Sequence, residues 1–398
     1  MAQDRDIIII GAGILGLASA WHLLREEPGL NLLILERLRG PGQGNTARSA
    51  AAYRDMFTSP VNRHLSRASI AFYEELQNRG VDLGLQDIGY LWLLTARQAA
   101  GLDPALEAMA NSGVALARLD PSELTQRLPD LAAGDIAKGI LGRRCGILNA
   151  NRLAGFYARE VARLGGRFAY ETAVSGFVTA GRGEISGVRT GTQELRAGAV
   201  IVATGAWMGA TLALAGLRAP VVPLKRQLFS VAAPEGALHR LLHARGFNAH
   251  ELLPFTILPG GAYLRPAANS FILGYADPDR APGLEDRPGA EAEFFTQRIR
   301  PQVARYFPGF REMAPTYAWA GHYDCHPPDH LPFVDRGGGA ILVGGTSGSG
   351  IMKADALGRV VAGLYFGREQ VELGDGRPFK VVALGLQNRG LAPEEFVI

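Results

Sequence analysis

The chain has 398 residues, of which 47% are hydrophobic and 20% charged, a balance that describes a soluble globular enzyme and excludes a disordered or fibrous chain. It is long enough for two intimately joined domains or one large one. The formal net charge of +3 is carried by scattered Lys and Arg without a basic run, which excludes a nucleic-acid partner, and the only two cysteines, Cys145 and Cys325, lack metal spacing and make a reduced cytoplasmic setting the default.

Met1 to Asp6 lead into the first strand within six residues, leaving no room for a signal peptide. Ile7 to Ile10 read as a parallel strand buried on both faces. Gly11, Gly13 and Gly16 follow in GxGxxG spacing. Gly11 permits a tight turn, Gly13 lets a pyrophosphate approach the backbone, and Gly16 lets the next helix pack close. That helix, about Leu15 to Arg25, aims its N-terminal N–H groups and positive dipole end at the phosphates. A second strand, Leu32 to Leu35, ends in Glu36, where a carboxylate accepts both ribose hydroxyls of an adenosine and repels the 2′-phosphate of NADP. The alternative is a glycine-rich turn in an unrelated α/β domain; the flanking strand, helix and Glu36 favour a dinucleotide site.

Arg39 to Arg54 is a small-residue loop, including Asn45, Thr46, Ala47, Arg48, Ser49 and Ala50, that is expected to break into a helix. It reads either as an ordinary connection or as a cofactor loop offering donors from Arg48 and Ser49, and its length and paired arginines favour the latter. Further on, Arg67–Arg79 is an amphipathic helix, Gly89–Thr95 a strand, and Gln98–Ser112 and Pro121–Leu128 are helices. A helix over Asn151–Leu164 and short strands near Phe168–Glu171, Val174–Phe177 and Gly187–Val188 lead to a strand at Val200 and its Thr204-Gly205 turn. Ala197 to Leu217 has no charge and is long enough to span a bilayer, but its strand–turn–helix pattern and high Ala and Gly content favour a buried reading. Pro220 to about Thr316 is strand-rich, with Gln227–Val231, Ala262–Pro266 and Ser270–Tyr275 forming an antiparallel sheet. Finally come a strand at Ala340–Val343, a second glycine-rich turn over Gly344–Gly350, and a helix from Ala354 to Phe366. His322, His326 and His330 recur every four residues, but Pro327, Pro328 and Pro332 forbid the helix that would gather them, so no metal site is assigned.

Six of these segments, in this order, resemble the D-amino-acid oxidase superfamily of FAD enzymes, in the branch of sarcosine oxidases and dehydrogenases and proline dehydrogenase β-subunits. They are Gly11–Gly16 with Glu36, Asn45–Arg54, Val200–Trp207, Tyr263–Pro266, Trp319–Tyr323 with Asp329, and Gly345–Gly350. The resemblance runs nearly end to end. It implies an α/β fold in which a Rossmann-like FAD-binding domain (1–83, 143–219 and 327–398) is interleaved with an antiparallel-sheet substrate domain (84–142 and 220–326). It further implies that Gly11, Gly13, Ile14, Gly16, Glu36 and Arg37 hold the adenosine diphosphate, and Val174 the adenine through its backbone. The Asn45–Ala50 loop would lie beside the flavin, with Thr204, Gly205 and Trp207 in the same site. Gly345, Gly348, Ser349, Gly350, Ile351 and Met352 would complete the flavin's pyrimidine side, where a helix N-terminus stabilises negative charge.

The chemistry the resemblance implies is hydride transfer from a carbon next to an amine nitrogen to flavin N5, followed by imine hydrolysis. Arg54, Arg265 and Lys353 are candidates for holding a substrate carboxylate, each with an alternative reading as a surface charge or structural ion pair. Tyr263 and Tyr323 are candidates for closing the pocket, and His322 for standing beside the flavin. Gly321 stands where flavin-tethering sarcosine oxidases carry a cysteine, so non-covalent FAD is expected. Ile272 replaces a lysine that aids oxygen activation, which favours a dehydrogenase over an efficient oxidase. Tyr323 falls where glycine oxidases place a carboxylate-binding arginine. The expected substrate is an N-substituted or cyclic amino acid such as sarcosine, dimethylglycine or proline. The alternatives are 2-hydroxy-acid oxidation and a flavin-binding assembly role without turnover. The acceptor is left open among oxygen, a quinone and a partner subunit.

Overall fold

The isoleucines of Arg5–Ile10 lie at the centre of an eight-stranded sheet, with Ile7, Ile8 and Ile9 fully buried. The structure, a computed structural model, describes residues 5–181, 183–191, 193–387, 389–394 and 396, so the expected lead-in over 1–4 lies outside the described residues. In spatial order the sheet runs Phe333–Gly337, Ala340–Gly344, Gln193–Val202, Arg5–Ile10, Leu32–Leu35 and Arg167–Ala169. All neighbours are parallel except the first pair. Gly176–Ala180 and Glu184–Thr190 extend the Gln193–Val202 strand as an antiparallel meander.

Three helices cover one face of this sheet. Ile14–Glu26 packs against Ala354–Tyr365 and Ala150–Arg163, around Trp21 with Phe72, Phe156 and Tyr157. The closest approach is at Gly358, where a Cβ would lie 2.7 Å from Ala18 O. Beside it the buried Asp355 carboxylate accepts from Tyr157 (3.1 Å) and Arg359 (2.9 Å) and meets His22 Nε2 at 2.8 Å. Burial alone would raise its pKa; His22 and Arg359 outweigh that and hold it below the usual carboxylate range.

The second eight-stranded sheet runs Tyr317–Cys325, Val222–Ala232, Ser270–Tyr275, Ala262–Ala267, Phe255–Ile257, Tyr90–Thr95, Ile136–Gly142 and Leu116–Leu119. Only Phe255–Ile257 against Tyr90–Thr95 is parallel. Because side chains alternate along a strand, Leu91, Phe229, Leu264 and Phe271 pack into an apolar layer with Phe295, Ile299, Val303 and Phe310. Their neighbours Tyr90, Leu228 and Tyr263 face the other way, towards the first sheet.

Several local expectations are corrected. The loop after Glu36 does not break into a helix; it makes a two-residue strand, Ala52–Tyr53, paired with Gly146–Ile147. The helix expected from Arg67 begins at Pro60, because Ser59 caps it by accepting from Asn62 N and Pro60 occupies the first turn, where a missing N–H costs nothing. The strand-rich stretch 220–316 also contains helical turns at Ala237–Leu242 and continuously over 292–306, whose apolar side covers the second sheet. Val174 lies before the strand assigned to it, which spans Gly176–Ala180. The uncharged stretch 197–217 divides into a strand end, a short turn and the helix Met208–Ala213. No helix of the described residues is long and apolar enough to cross a membrane.

Replacing Asp355 by Ala leaves His22 and Arg359 without their shared anion, and urea unfolding should show a loss of about 3–5 kcal/mol. The carboxylate is held below its ordinary pKa, so its contribution is present above the unfolded value near 4 and fades as the pH falls through the folded one. The difference between parent and variant should shrink in the same acid range.

Candidate functional site

Between the two sheets lies a cavity of about 440 Å³. Its floor begins at the first glycine turn. Gly11 has φ +104°, and a Cβ there would come within 2.7 Å of Ala203 O, so only glycine fits. Gly16 does not reach the cavity; it lets the helix close on the turn, since its Cβ would stand 2.0 Å from Gly11 O. Gly13 differs from both. A Cβ at Gly13 would meet only Thr46 Oγ1, at 3.6 Å, and would project into the cavity.

The Ile14–Glu26 helix starts there with no side-chain cap from its N-cap residue, Gly13, and the N–H of Ile14 donates to Thr46 Oγ1 at 3.1 Å. Glu36 is fixed by N–H donation from Ala12 (2.8 Å) and Leu38 (2.9 Å). Arg37 stacks over the Trp207 ring at 4.5 Å and pairs with Asp286. Val174, Thr204, Gly205 and Trp207 line the same end, and the buried indole N–H of Trp207 has no acceptor among the described residues.

The Asn45–Ala50 loop crosses the middle. Asn45 Oδ1 accepts from the backbone N–H of His322 (3.0 Å), and Arg48 O accepts from Trp319 Nε1 (2.8 Å), which ties the loop to the second sheet. Asn45, Thr46, Arg48, Ser49 and Ala50 line the cavity, whereas Ala47 is exposed and turned away from it. Gly348, Ser349, Gly350, Ile351 and Met352 line the opposite side. Gly345 is not in the wall; its Cβ would strike the Phe333 ring at 2.7 Å, so it serves packing. The uncapped helix start, the space over Gly13 and the unpartnered Trp207 N–H fit a dinucleotide lying along this side.

Of the candidate catalytic residues, Arg54, Tyr263, His322 and Tyr323 line the cavity; Arg265 and Lys353 do not. The buried Arg54 guanidinium donates to the carbonyls of Met56 and Phe396 and lies over Phe57. Arg265 shares the sheet face of Tyr263 but stands beyond the cavity edge, donating to Pro266 O at 3.2 Å, and burial pulls its pKa down to about 10. Lys353 is 0% exposed, directly behind the wall, and donates to Asn62 Oδ1 and Ser349 Oγ, both at 2.6 Å. Burial pulls its pKa down to about 7, against the opposing charge of Glu394. His322 accepts from the N–H of Glu285 at 3.2 Å and lies edge-on to Trp207; burial lowers its pKa and keeps it neutral.

Other wall residues escaped sequence reasoning. Tyr90 and Phe255 stack at 4.3 Å, Phe255 and Tyr263 at 5.1 Å, and burial raises the pKa of Tyr90, Tyr263 and Tyr323, so all three hydroxyls stay neutral. Period-two alternation in the strands would have found Tyr90, Phe255 and Arg226. Glu394 and Phe396 had no such signal. They belong to an irregular segment whose Glu394 carboxylate accepts from Thr58 N (2.7 Å), Thr58 Oγ1 (2.9 Å), Ser59 N (3.1 Å) and Asn62 Nδ2 (3.0 Å). Phe396 meets Trp92 edge-to-face at 4.7 Å. His326 joins Asp329 and Arg389 in a separate buried cluster.

A largely parallel sheet with a glycine-turn dinucleotide cradle, facing a tyrosine-lined and mostly antiparallel sheet across one cavity, is the arrangement of a dinucleotide-dependent enzyme. Residues 6–364 match the DAO family, FAD dependent oxidoreductase, and the chain belongs to that family. FAD is therefore its cofactor. Similar proteins include the glycine oxidase of Pseudomonas aeruginosa, 27% identical over 93% of this chain and 97% of that one. FAD-dependent oxidoreductase domain-containing protein 1 of Bos taurus is 27% identical over 90% of this chain and 81% of its own length. L-proline dehydrogenase from P. horikoshii shares the fold, with a TM-score of 0.79 and 24% identity over 92% and 95% of the two chains.

Gly13→Val should fold, because nothing but Thr46 Oγ1 stands near the new side chain, yet lose FAD on gel filtration; normal flavin absorbance in the folded variant would refute the placement. Lys353 should change charge near pH 7, so the bound flavin's absorbance should titrate with a midpoint there, and the spectrum of Lys353→Met should be flat across that range.

Proposed function

We propose that this chain is an FAD-dependent dehydrogenase oxidising the C–N bond of an N-substituted or cyclic amino acid. In this reading residues 1–83, 143–219 and 327–398 hold the cofactor and 84–142 with 220–326 present the substrate, a division that the two separate eight-stranded sheets support. When bound, FAD supplies the hydride acceptor. Neither cysteine lines the cavity, and both thiols are raised above their ordinary range by burial, Cys325 to about 11, which supports non-covalent attachment.

The observation that carries the reading is the aromatic, tyrosine-lined wall of the cavity. Tyr90, Tyr263 and Tyr323 are held neutral with raised pKa values, so they donate rather than accept protons. Among the described residues, the carboxylates lining the cavity are engaged: Glu36 by two backbone N–H groups, Asp324 by Thr346 N and Oγ1, and Glu394 by Thr58, Ser59 and Asn62. His322 follows Tyr323's opposite face of the same strand and sits by Trp207. The aromatic faces of Tyr90, Phe255 and Tyr263 hold an apolar amine substituent or ring and exclude water.

The glycine oxidase and the sarcosine oxidase subunit beta among the relatives act, by their names, on small amino acids, and the neighbour of known structure on L-proline. Ile272, the residue at the position discussed above for oxygen activation, is partly buried in the apolar cluster of Tyr90 and Tyr263, which supports slow reaction with oxygen. Anaerobic addition of sarcosine, dimethylglycine or proline should bleach the flavin absorbance, and 2-hydroxyglutarate should not. Bleaching by the hydroxy acid alone overturns the amine reading; bleaching by nothing in the panel moves the weight to a flavin-binding assembly role.

A further inference from the structure

The charges around the cavity divide into compensated and uncompensated ones. At the nucleotide end Arg37 pairs with Asp286, and the charge of Arg48 acts on the same carboxylate. At the other wall, Arg54, which lines the cavity, and Lys353, behind it, both lie in the field of Glu394, which Arg54 and its hydrogen bonds hold below its ordinary pKa despite burial. Both residues that sequence reasoning offered as anion holders at this end thus have their donors engaged and lie in the field of an anion.

Arg226 has none among the described residues. It projects from Val222–Ala232 on the strand face that carries Leu228, opposite Gly321, and all three line the cavity. Among the described residues its buried Nε has no acceptor, and its guanidinium donates only from a terminal nitrogen to its neighbour's carbonyl, Lys225 O, at 3.2 Å. Glu285 and Glu291 pair with Lys225 on the other strand face, Glu291 also holds Arg280, and Asp324, on the facing strand, accepts from Thr346 N and Oγ1. The guanidinium lies 4.9 Å over the Tyr323 ring. That ring is fixed by Gly348, where a Cβ would fall 2.3 Å away. A half-buried guanidinium on an aromatic platform, with open donors facing a cavity, is a preorganised partner for a planar anion.

We infer that Arg226 holds the anionic group of the substrate, a carboxylate, and so sets the specificity for amino acids over simple amines; the chemical identity of that group rests on the function proposed above. Tyr323 is the platform that orients it. Arg265, outside the cavity edge, has no part in it.

The test is flavin-detected binding of unreactive carboxylates, which needs no turnover. Acetate and benzoate are titrated into the holoenzyme, with benzamide as the uncharged control. Arg226→Met keeps the length and packing of the stem and removes the charge, and Arg226→Lys restores a point charge without the planar fork. Arg226→Met is expected to retain FAD, to weaken both carboxylates roughly tenfold to a hundredfold and to leave benzamide unchanged. Arg226→Lys should recover part of the loss. Equal carboxylate affinity in parent and Arg226→Met, or no perturbation of the parent flavin by either carboxylate, overturns the inference. Failure of the amine reading looks different: carboxylates still bind through Arg226 while no amine bleaches the flavin.

Discussion

Everything at the site depends on how closely two helices touch. Ile14–Glu26 and Ala354–Tyr365 each begin just after a glycine turn, and the contact of Gly358 with the backbone of Ala18, reinforced by His22 and Asp355, brings those two turns to one cavity. Two positive helix ends then face the same space, the arrangement that an anionic dinucleotide would require. A side chain at position 358 would separate them, however well each turn were formed by itself. The dinucleotide layer is therefore a matter of backbone approach first and of side-chain chemistry second.

The second sheet works by a different means. It presents one face to an apolar core and the other, rich in tyrosine, to the cavity, and the strands supply functional side chains at alternate positions. Neutral hydroxyls and aromatic faces dominate that wall, while the charges that remain are either neutralised from the irregular segment carrying Glu394 or left open at Arg226. Burial does much of the tuning. It lowers Lys353 into the neutral range and raises the tyrosines out of it, so that residues of ordinary type acquire distinct protonation states within one site.

How much of this was legible in the sequence follows from how local each feature is. The GxGxxG turn, the strand before it and Glu36 form one short unit, and its reading needed no long-range information. The same holds for the last glycine turn and its helix. The arginines show the limit. Tyr263 and Arg265 are two residues apart, so alternation puts both on one face, and only the extent of the cavity along the strand separates a wall residue from one beyond it. Arg54 looked like a free cation because its acceptors, Met56 O and Phe396 O, are backbone groups that leave no mark in composition, one of them hundreds of residues away. The helical run at 292–306 was hidden for a related reason: its apolar residues serve a sheet assembled from distant strands, and the Pro and Gly loops before it suggested more strand.

The alternation of the chain between its two layers also bears on the order in which the protein comes together. Phe255 pairs with Tyr90, Tyr317–Cys325 with Val222–Ala232, and Ala340–Gly344 with Gln193–Val202, each across a long stretch of intervening chain. Such pairings close large loops before they gain contacts, which makes assembly slow. The wall is finished by Glu394 and Phe396, so the first glycine turn, flanked by the paired strands Arg5–Ile10 and Leu32–Leu35, lies far ahead in the chain of the residues that close the chamber it lines. A cofactor caught early at that turn would act as a template, drawing the two layers together around itself and making nucleotide supply a determinant of folding yield.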